Sequence, residues 1–408
     1  MNAYVYKRTR KSGTSYSVRL VETDSTGKKK ESWLNNPDTG KPFATKKEAE
    51  AFRTSLLHSV ISGTYVSKSN LLFGEWLEQY LDTVKVRLKP STFSSYRKNV
   101  RNHIIPRLGN VPIQKLTAQH LNKVYRELLT EGKLTNSHGT SAGLSPRTVN
   151  YVHTIIGASL KEAFNQGIVA RNVATLATAP KAQRNPEEVK HWTPSELKTF
   201  LDSIKGHRLE ALYTFYAFTG CRRGEALNLS EREIDFEKGT VTFTGTINKI
   251  DGVIVQGSTK TTRGHRTIKV DTDILRLLDT QLEKRAIERK ALGSGYSDSN
   301  LVFANVDGTY LYPERITRVF SEIVSKLDVP RIPLHGLRHT HASILLASRC
   351  SINYVAQRLG DNPATIMNTY AHVLPNEGNS AVDNFLATVT NAHEDNNVVV
   401  AFKRKKAV

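Results

Sequence analysis

The sequence predicts a multidomain chain that is mainly α-helical and carries small β-sheets. With 408 residues it is longer than one hydrophobic core usually organises. Its amino-terminal part alternates apolar and polar residues as strands do, whereas most of the remainder repeats apolar residues at helical spacing. Two polar linkers interrupt these patterns at 64–70 and 180–191. The predicted parts are residues 1–65, 70–180, 190–390 and a tail at 391–408.

The first part is predicted to be an antiparallel sheet followed by one helix. Two runs with alternating apolar residues are separated by turn-forming stretches, and the alternating residues are Tyr4, Tyr6, Tyr16, Val18 and Leu20. Thr45 and Glu48 form a capping-box pattern before the helix. Its predicted buried face contains Ala49, Phe52 and Leu56.

Positive charge is concentrated in this first part and is in excess over the whole chain. Residues 1–33 contain eight Lys or Arg and three acidic residues, and the chain has a net charge of +20 with a pI near 9.8. Such an excess favours a polyanionic partner, although a ribosomal or RNA-binding protein would show it too. A β-ribbon fits a DNA major groove, and a solvated basic hairpin without a ligand is the alternative. The residues predicted to contact DNA are Lys7, Arg8, Arg10, Arg19, Arg97 and Lys98.

The cysteine content and hydropathy indicate a cytoplasmic protein without a metal site. Cys221 and Cys350 are the only cysteines, and neither belongs to a CxxC motif. The amino terminus lacks the apolar segment of a signal peptide, and no run approaches 18 apolar residues. We therefore expect no disulfide framework, no metal and no membrane insertion.

The second part is predicted to contain four or five helices. Phe73, Trp76, Tyr80 and Leu81 give the first apolar face, and Pro90 begins the next helix. In the third part, Thr193 and Glu196 form a capping box around Pro194. A helix up to Thr219, a small antiparallel sheet and then further helices follow. The later helices are predicted at 272–288, 313–327, 338–349, 351–359 and 363–371.

Five residues of the third part have the chemistry of metal-free phosphoryl transfer to a phenol. They are Arg222, Lys260, His335, Arg338 and Tyr370. Guanidinium groups clamp and neutralise a phosphate in its transition state. A Lys and a His can move protons, and a Tyr can hold phosphorus as an ester.

The local sequences around these residues are TGCRRGEAL, STKTTRGHRTIKV, LHGLRHTHAS and LGDNPATIMNTYAHV. Glu225 lies one helical turn after Arg222, where it can orient the guanidinium. Together these motifs resemble the tyrosine recombinases, the integrases of phages and mobile elements, and the resemblance runs along nearly the whole chain. The family has Thr-Gly, one further residue and then the arginine, so the resemblance selects Arg222 over its neighbour Arg223. HGLRHT is its most specific short motif.

The resemblance implies the fold and the role of each part. Residues 1–65 look like an arm-type DNA-binding domain, residues 70–180 like the helical SAM-like core-binding domain, and residues 190–390 like the α+β catalytic domain. Tyr370 would then form a 3′-phosphotyrosine, while Lys260 protonates the departing 5′-oxygen. No cofactor, metal or ATP is implied. The implied partners are core and arm DNA sites, other copies of the chain in a tetramer, an excision factor and a host DNA-bending protein.

One position departs from the family pattern. The family usually has His or Trp after Leu359 and Gly360, as a hydrogen-bond donor to the phosphate, and this chain has Asp361. An ionised carboxylate cannot donate a hydrogen bond. Asp361 is therefore displaced from the phosphate, or pairs with Arg or Lys, or leaves the donation to His339 or His372.

Two other functions fit parts of the same pattern. A type IB topoisomerase uses similar chemistry, although it does not need the arm-like first part. A catalytically weakened DNA-binding regulator is suggested by Asp361. In the resembling family the segment after the nucleophile docks on a neighbouring protomer. We therefore expect Val398–Phe402 to add a strand to the catalytic-domain sheet, in cis in the monomer and in trans on paired sites. A disordered basic tail that contacts DNA is the alternative.

Overall fold

The computed structural model describes residues 1–10, 13–23, 27, 29–61, 65–132, 143–181, 190–258 and 262–371. They belong to two compact units, Met1–Arg184 and Asn185–Val408. The linker at 180–191, Lys260, His372 and the tail lie wholly or largely outside the described residues. The four-part division of the chain remains a prediction.

The first unit begins with a three-stranded antiparallel sheet that packs on one helix. The strands are β1 (Asn2–Arg10), β2 (Gly13–Thr23) and β3 (Lys29–Leu34), in the order β1-β2-β3, and the helix is α1 (Lys46–Ile61). The backbone N–H of Glu48 donates to Thr45 Oγ1 over 3.2 Å, so Thr45 caps α1 as predicted. The predicted order of strands and helix is confirmed.

One detail of the predicted apolar pattern is wrong. The alternation predicts Tyr4 and Tyr6 on the apolar face of the sheet, but their side chains are 49% and 38% exposed. The register of β1 on β2 explains this, because it pairs Ala3 with Leu20 and Tyr4 with Arg19. Successive residues of a strand point to opposite faces. Ala3 therefore lies in the core, and Tyr4 and Tyr6 lie on the outer face.

The rest of this unit is a helical bundle. Its helices are α2 (Phe73–Lys85), α3 (Pro90–Asn99), α4 (Ile105–Leu108), α5 (Ala118–Glu131) and α6 (Pro146–Asn165), with a π-helical turn at Val100–Ile104 between α3 and α4. Phe73, Trp76 and Leu77 of α2 are buried. The indole Nε1 of Trp76 donates to the Ser159 carbonyl of α6 over 3.2 Å, so α2 and α6 are joined in the core.

The second unit combines eight helices with five short strands among the described residues. It contains α7 (Pro194–Ser203), α8 (Glu210–Thr219), α9 (Arg223–Asn228), β4 (Ile234–Asp235), β5 (Thr240–Phe243), β6 (Gly245–Ile250), β7 (Val253–Ser258), β8 (Arg266–Lys269), α10 (Thr272–Leu292), α11 (Pro313–Val324), α12 (Gly336–Ala347), α13 (Ile352–Leu359) and α14 (Pro363–Tyr370). The core includes Trp192, Phe200, Tyr213 and Phe320, whose rings contact one another.

The strands of this unit form two sheets rather than the one sheet that the sequence predicts. One has the order β4-β5-β8, and the other is the β6-β7 hairpin. The stretch at 240–250 is divided into β5 and β6 at Thr244. The backbone N–H and hydroxyl of Thr244 both donate to Glu233 Oε1. The chain therefore leaves the β5 ladder there and enters β6. No helix of the described residues is long and apolar enough to cross a bilayer.

Candidate active site

Arg222 is held at the junction of α8 and α9. Gly220 ends α8 in the left-handed conformation with φ +62°, and a Cβ there would lie 2.7 Å from atoms of His341 and Leu359. Arg222 precedes the first turn of α9. Glu225 accepts hydrogen bonds from the Arg222 backbone N–H (2.8 Å) and from Arg222 Nη1 (2.9 Å). The motif Thr-Gly-x-Arg-x-x-Glu therefore fixes both the backbone and the guanidinium.

Arg338 is fixed by backbone carbonyls from two distant segments. It lies on α12 and its side chain is 3% exposed. Its Nη1 donates to the Gly220 carbonyl over 2.8 Å, and its Nη2 donates to the Leu359 carbonyl over 2.9 Å. These two contacts join the end of α8 to the end of α13. The guanidinium is oriented before any ligand arrives.

Asp361 lies between the two arginines. Its Oδ1 accepts from Arg222 Nη2 and its Oδ2 from Arg338 Nη2, each over 2.5 Å. Burial alone would raise the pKa of Asp361, but the charges and hydrogen bonds of Arg338 and Arg222 hold it below its usual value. Of the alternatives left open by the sequence, the structure supports the pairing with arginine. His372 lies outside the described residues.

Tyr370 ends α14 and contacts a histidine of α12. Its side chain is buried, and its hydroxyl lies 2.5 Å from Nδ1 of His339. Burial raises the pKa of Tyr370 above its ordinary value, with Arg338 opposing the effect. His335 precedes α12, and its ring packs edge-on against the His339 ring with centroids 4.9 Å apart. Burial and the nearby Arg338 lower the pKa of His335.

A buried arginine that the sequence did not single out lies behind this cluster. Arg266 begins β8 and its side chain is 5% exposed. Its Nη2 donates to Glu225 Oε2 over 2.9 Å, its Nε donates to the Arg358 carbonyl over 2.7 Å, and its guanidinium stacks on Phe243. Glu225 therefore bridges Arg222 and Arg266. Burial would raise the pKa of Glu225, but the hydrogen bonds and charges of these two arginines lower it.

The only sequence signal for Arg266 was its position in the quoted motif STKTTRGHRTIKV, six residues after Lys260. Lys260 itself lies outside the described residues. The described flanks are β7, which ends at Ser258, and a helical turn at Thr262–Gly264 before β8. The structure thus brings together four of the five predicted catalytic residues with Glu225 and Asp361. It adds His339 and Arg266.

The predicted DNA-contacting residues belong to the first unit, where they lie on the sheet and on α3. Lys7, Arg8 and Arg10 are exposed along β1, and Arg8 stacks on Trp33 at 4.8 Å. Arg19 is instead engaged within the sheet, since its guanidinium pairs with Glu31 and donates to Tyr6. On α3, Arg97 stacks on Phe93, and Lys98 is exposed.

Comparisons with known proteins identify the family. The model described as "Phage integrase family" matches residues 190–377, and that of the phage integrase N-terminal SAM-like domain matches residues 72–129. A curated relative, a tyrosine recombinase XerC-like protein of Caldanaerobacter subterraneus subsp. tengcongensis, is 25% identical over 358 residues, which cover 83% of this chain and 89% of the relative.

Two solved structures have the same fold. One is the Tn1549 transposon integrase in complex with transposon right-end DNA, with a TM-score of 0.62, 20% identity, and coverage of 76% of this chain and 99% of that chain. The other is a lambda integrase tetramer bound to a Holliday junction, with a TM-score of 0.53, 16% identity, and coverage of 92% and 95%. The two family matches and the relative agree with the motifs around the cluster, and the chain belongs to the phage integrase family of tyrosine recombinases.

Proposed function

We propose that this tyrosine recombinase is a site-specific integrase that forms a 3′-phosphotyrosine at Tyr370 and thereby integrates and excises a phage or mobile element. The observation that carries the proposal is the convergence of Arg222 and Arg338 on one anion, the Asp361 carboxylate. Two guanidinium groups that bind one carboxylate from two sides have the geometry needed to bind one scissile phosphate.

The expected cycle uses the residues of the cluster in a fixed order. A DNA phosphate takes the place of the Asp361 carboxylate between the two arginines. The Tyr370 oxygen attacks phosphorus, and the bond to the 5′-oxygen breaks, with Lys260 as the proposed proton donor. The 5′-hydroxyl of a partner strand then attacks the phosphotyrosine and restores the DNA backbone. The ester conserves the bond energy, so the cycle needs neither ATP nor an added metal.

The direct test uses a nicked suicide substrate, from which the released 5′-strand diffuses away. We expect a covalent protein–DNA adduct in buffer with EDTA and without ATP, and peptide mapping should place it at Tyr370. A catalytically weakened regulator would bind this DNA without forming an adduct. Relaxation of a plasmid that lacks attachment sites would instead favour topoisomerase-like activity.

Asp361→Asn is expected to raise the cleavage rate. Asp361 is not needed to orient either arginine, because Arg338 is held by two backbone carbonyls and Arg222 by Glu225 and the Gly360 carbonyl. Its negative charge therefore acts mainly as a competitor of the phosphate. Removal of one competing charge pair at this partly exposed site should increase cleavage by roughly 10-fold, about 1.4 kcal/mol. Single-turnover cleavage at saturating protein measures this.

Glu225→Gln is the matched control for Asp361→Asn, because it also converts an arginine-paired carboxylate into an amide. Glu225 holds Arg222 and Arg266 in place, so this change should lower the cleavage rate. If Asp361→Asn also lowers the rate, the carboxylate positions the arginines and is not a competitor.

The outer face of the amino-terminal sheet is proposed to bind arm sites. It presents the exposed Tyr4, Tyr6 and Trp33 together with Arg8. Arginine beside aromatic side chains on a three-stranded sheet fits a DNA groove by charge and shape. We further propose that the helical bundle binds core DNA with Arg97 and Lys98 of α3.

Removal of residues 1–65 is expected to leave core-site cleavage intact and to impair integration. The truncated chain loses the contact that bridges arm and core sites, and with it the gain in avidity from the linker. Gel-shift assays on separate arm and core DNA, together with an integration assay, measure both effects. Arm-site binding by the truncated chain would contradict this division of labour.

The assembly and the location of the chain are proposed more broadly. We propose a tetramer on paired DNA sites, in line with the lambda integrase tetramer on a Holliday junction. An excision factor and a host DNA-bending protein are proposed as partners, and the bacterial cytoplasm, at the nucleoid, as the location.

A further inference from the structure

We infer that His339 takes the proton from Tyr370 as the tyrosine attacks the scissile phosphate. The inference rests on the proposed function and assigns a catalytic role to a residue outside the predicted set of five. It starts from the contact between His339 Nδ1 and the Tyr370 hydroxyl at 2.5 Å, with the two ring centroids 5.7 Å apart. This distance is within the reach required of a general base.

The geometry distinguishes His339 from His335. His335 was predicted from the sequence as a proton-moving residue, but it packs against the His339 ring, and the hydrogen bond to the Tyr370 hydroxyl belongs to His339. The two histidines are four positions apart, so they lie on the same side of the helix. His335 therefore packs against the His339 ring, and His339 is the histidine that contacts the Tyr370 hydroxyl.

Charged and titratable groups from several segments face His339. His335 and Arg338 come from the start of α12, His191 from the segment before α7, Asp361 from the turn before α14, and Tyr370 from α14. Burial lowers the pKa of His339 to about 4, and His335, Arg338 and His191 act in the same direction, while Asp361 opposes them. The imidazole is therefore neutral at physiological pH. The inferred transfer uses the tautomer that carries the ring proton on Nε2, in which the Nδ1 lone pair accepts the phenol proton.

The proton and the electron pairs balance in this step. The Tyr370 O–H bond breaks and its proton moves to His339 Nδ1, while the phenolic oxygen forms the bond to phosphorus. The P–O5′ bond breaks, and its electron pair leaves with the 5′-oxygen, which becomes a hydroxyl by taking a proton from Lys260, the proposed donor. When a 5′-hydroxyl later attacks the phosphotyrosine, the His339 imidazolium returns its proton to the departing tyrosyl oxygen. One histidine thus serves both half-reactions, as microscopic reversibility requires.

A weakly basic imidazole is enough to accept the Tyr370 proton, because the proton moves while the bond to phosphorus forms. Burial keeps the Tyr370 phenol protonated in the resting site, because its pKa is raised. Attack on phosphorus makes the phenolic proton strongly acidic as the new bond forms. Proton transfer then becomes favourable only when a phosphate is in place. The same arrangement keeps a reactive phenolate from forming in the absence of DNA.

The test is the pH dependence of single-turnover cleavage by the full-length chain on a nicked suicide substrate. For the unaltered chain we expect a nearly constant rate from about pH 6 to about pH 9, because neutral His339 is present throughout. His339→Ala should cleave at least ~100-fold more slowly near pH 7, with a rate that rises about tenfold per pH unit as hydroxide replaces the base. A flat profile at the unaltered rate for His339→Ala would overturn the inference.

Chemical rescue separates a catalytic role from a structural one. Added imidazole should enter the space left by His339→Ala and restore part of the rate. If His339→Ala does not fold, His339→Gln with a fluorinated tyrosine at position 370 provides the second test. The more acidic phenol should offset the loss of the base, and the absence of any rescue in the folded variant would contradict the inference.

His341→Ala is the matched control. His341 is a second half-buried imidazole on α12, and it contacts the Ala217 carbonyl and Arg358 rather than Tyr370. Its loss should lower thermal stability but leave the shape of the pH–rate curve unchanged. A hydroxide-dependent curve for His341→Ala would show that any disturbance of α12 has this effect and would overturn the assignment. Failure of the unaltered chain to form an adduct contradicts the proposed function instead.

Discussion

Tyr370→Phe is expected to abolish formation of the covalent adduct while core-DNA binding remains nearly unchanged. The substitution removes one oxygen, the proposed nucleophile, and alters no charge that binds phosphate. Loss of the nucleophile should reduce cleavage by at least about 10⁴-fold. Because Tyr370 also contacts His339 in a buried setting, its ring must stay packed, and phenylalanine retains that ring.

Tyr216→Phe is the control for this change. Tyr216 is also buried in the second unit, and its hydroxyl has no hydrogen-bond partner within the described part of the chain. Removal of that oxygen should leave cleavage intact and should not lower stability, because an unpaired buried hydroxyl is costly. A covalent adduct that persists in Tyr370→Phe would move the nucleophile to another tyrosine. Peptide mapping of the adduct would identify it.

The parts of the site that the sequence predicted correctly are the locally encoded ones. Gly220, Arg222 and Glu225 lie within six residues, and their contacts follow from a helix end, a turn and a capping box. The same holds for the strands and helix of the amino-terminal part, where alternation and capping are local signals. The exposed Tyr4 and Tyr6 were misplaced because alternation does not show which face of a strand is covered, whereas the pairing of β1 with β2 does.

The remaining parts depend on contacts between residues that are far apart in the chain. Asp361 meets Arg222 across 139 positions, and Arg266 meets Glu225 across 41. No periodicity or spacing encodes such pairs. His339 was visible in HGLRHT, but its contact with Tyr370 depends on how α14 packs against α12. The sequence therefore supplied the candidate side chains, and the fold determined which of them lie together.

Arg338→Lys is expected to lose most of the cleavage rate although it keeps the positive charge. The Arg338 guanidinium donates to the Gly220 carbonyl, the Leu359 carbonyl and Asp361 at the same time. A lysine ammonium is too compact to reach all three acceptors. Loss of one oriented donor to the transition state should cost about 2–4 kcal/mol, a ~10²–10³-fold lower single-turnover rate. DNA binding should change little, since the clamp contacts one phosphate among many.

Arg223→Lys is the control beside the same site. Arg223 follows Arg222 in the chain, yet its guanidinium donates to the Pro313 carbonyl and Thr317 Oγ1 of α11. The chemical change is the same, so a cleavage rate near that of the unaltered chain would show that the geometry of Arg338 is what matters. If Arg338→Lys cleaves as fast as Arg223→Lys, charge alone suffices at this position. The oriented guanidinium contact with the phosphate would then come from Arg222 alone. Asp361 would compete with the phosphate mainly through its contact with Arg222.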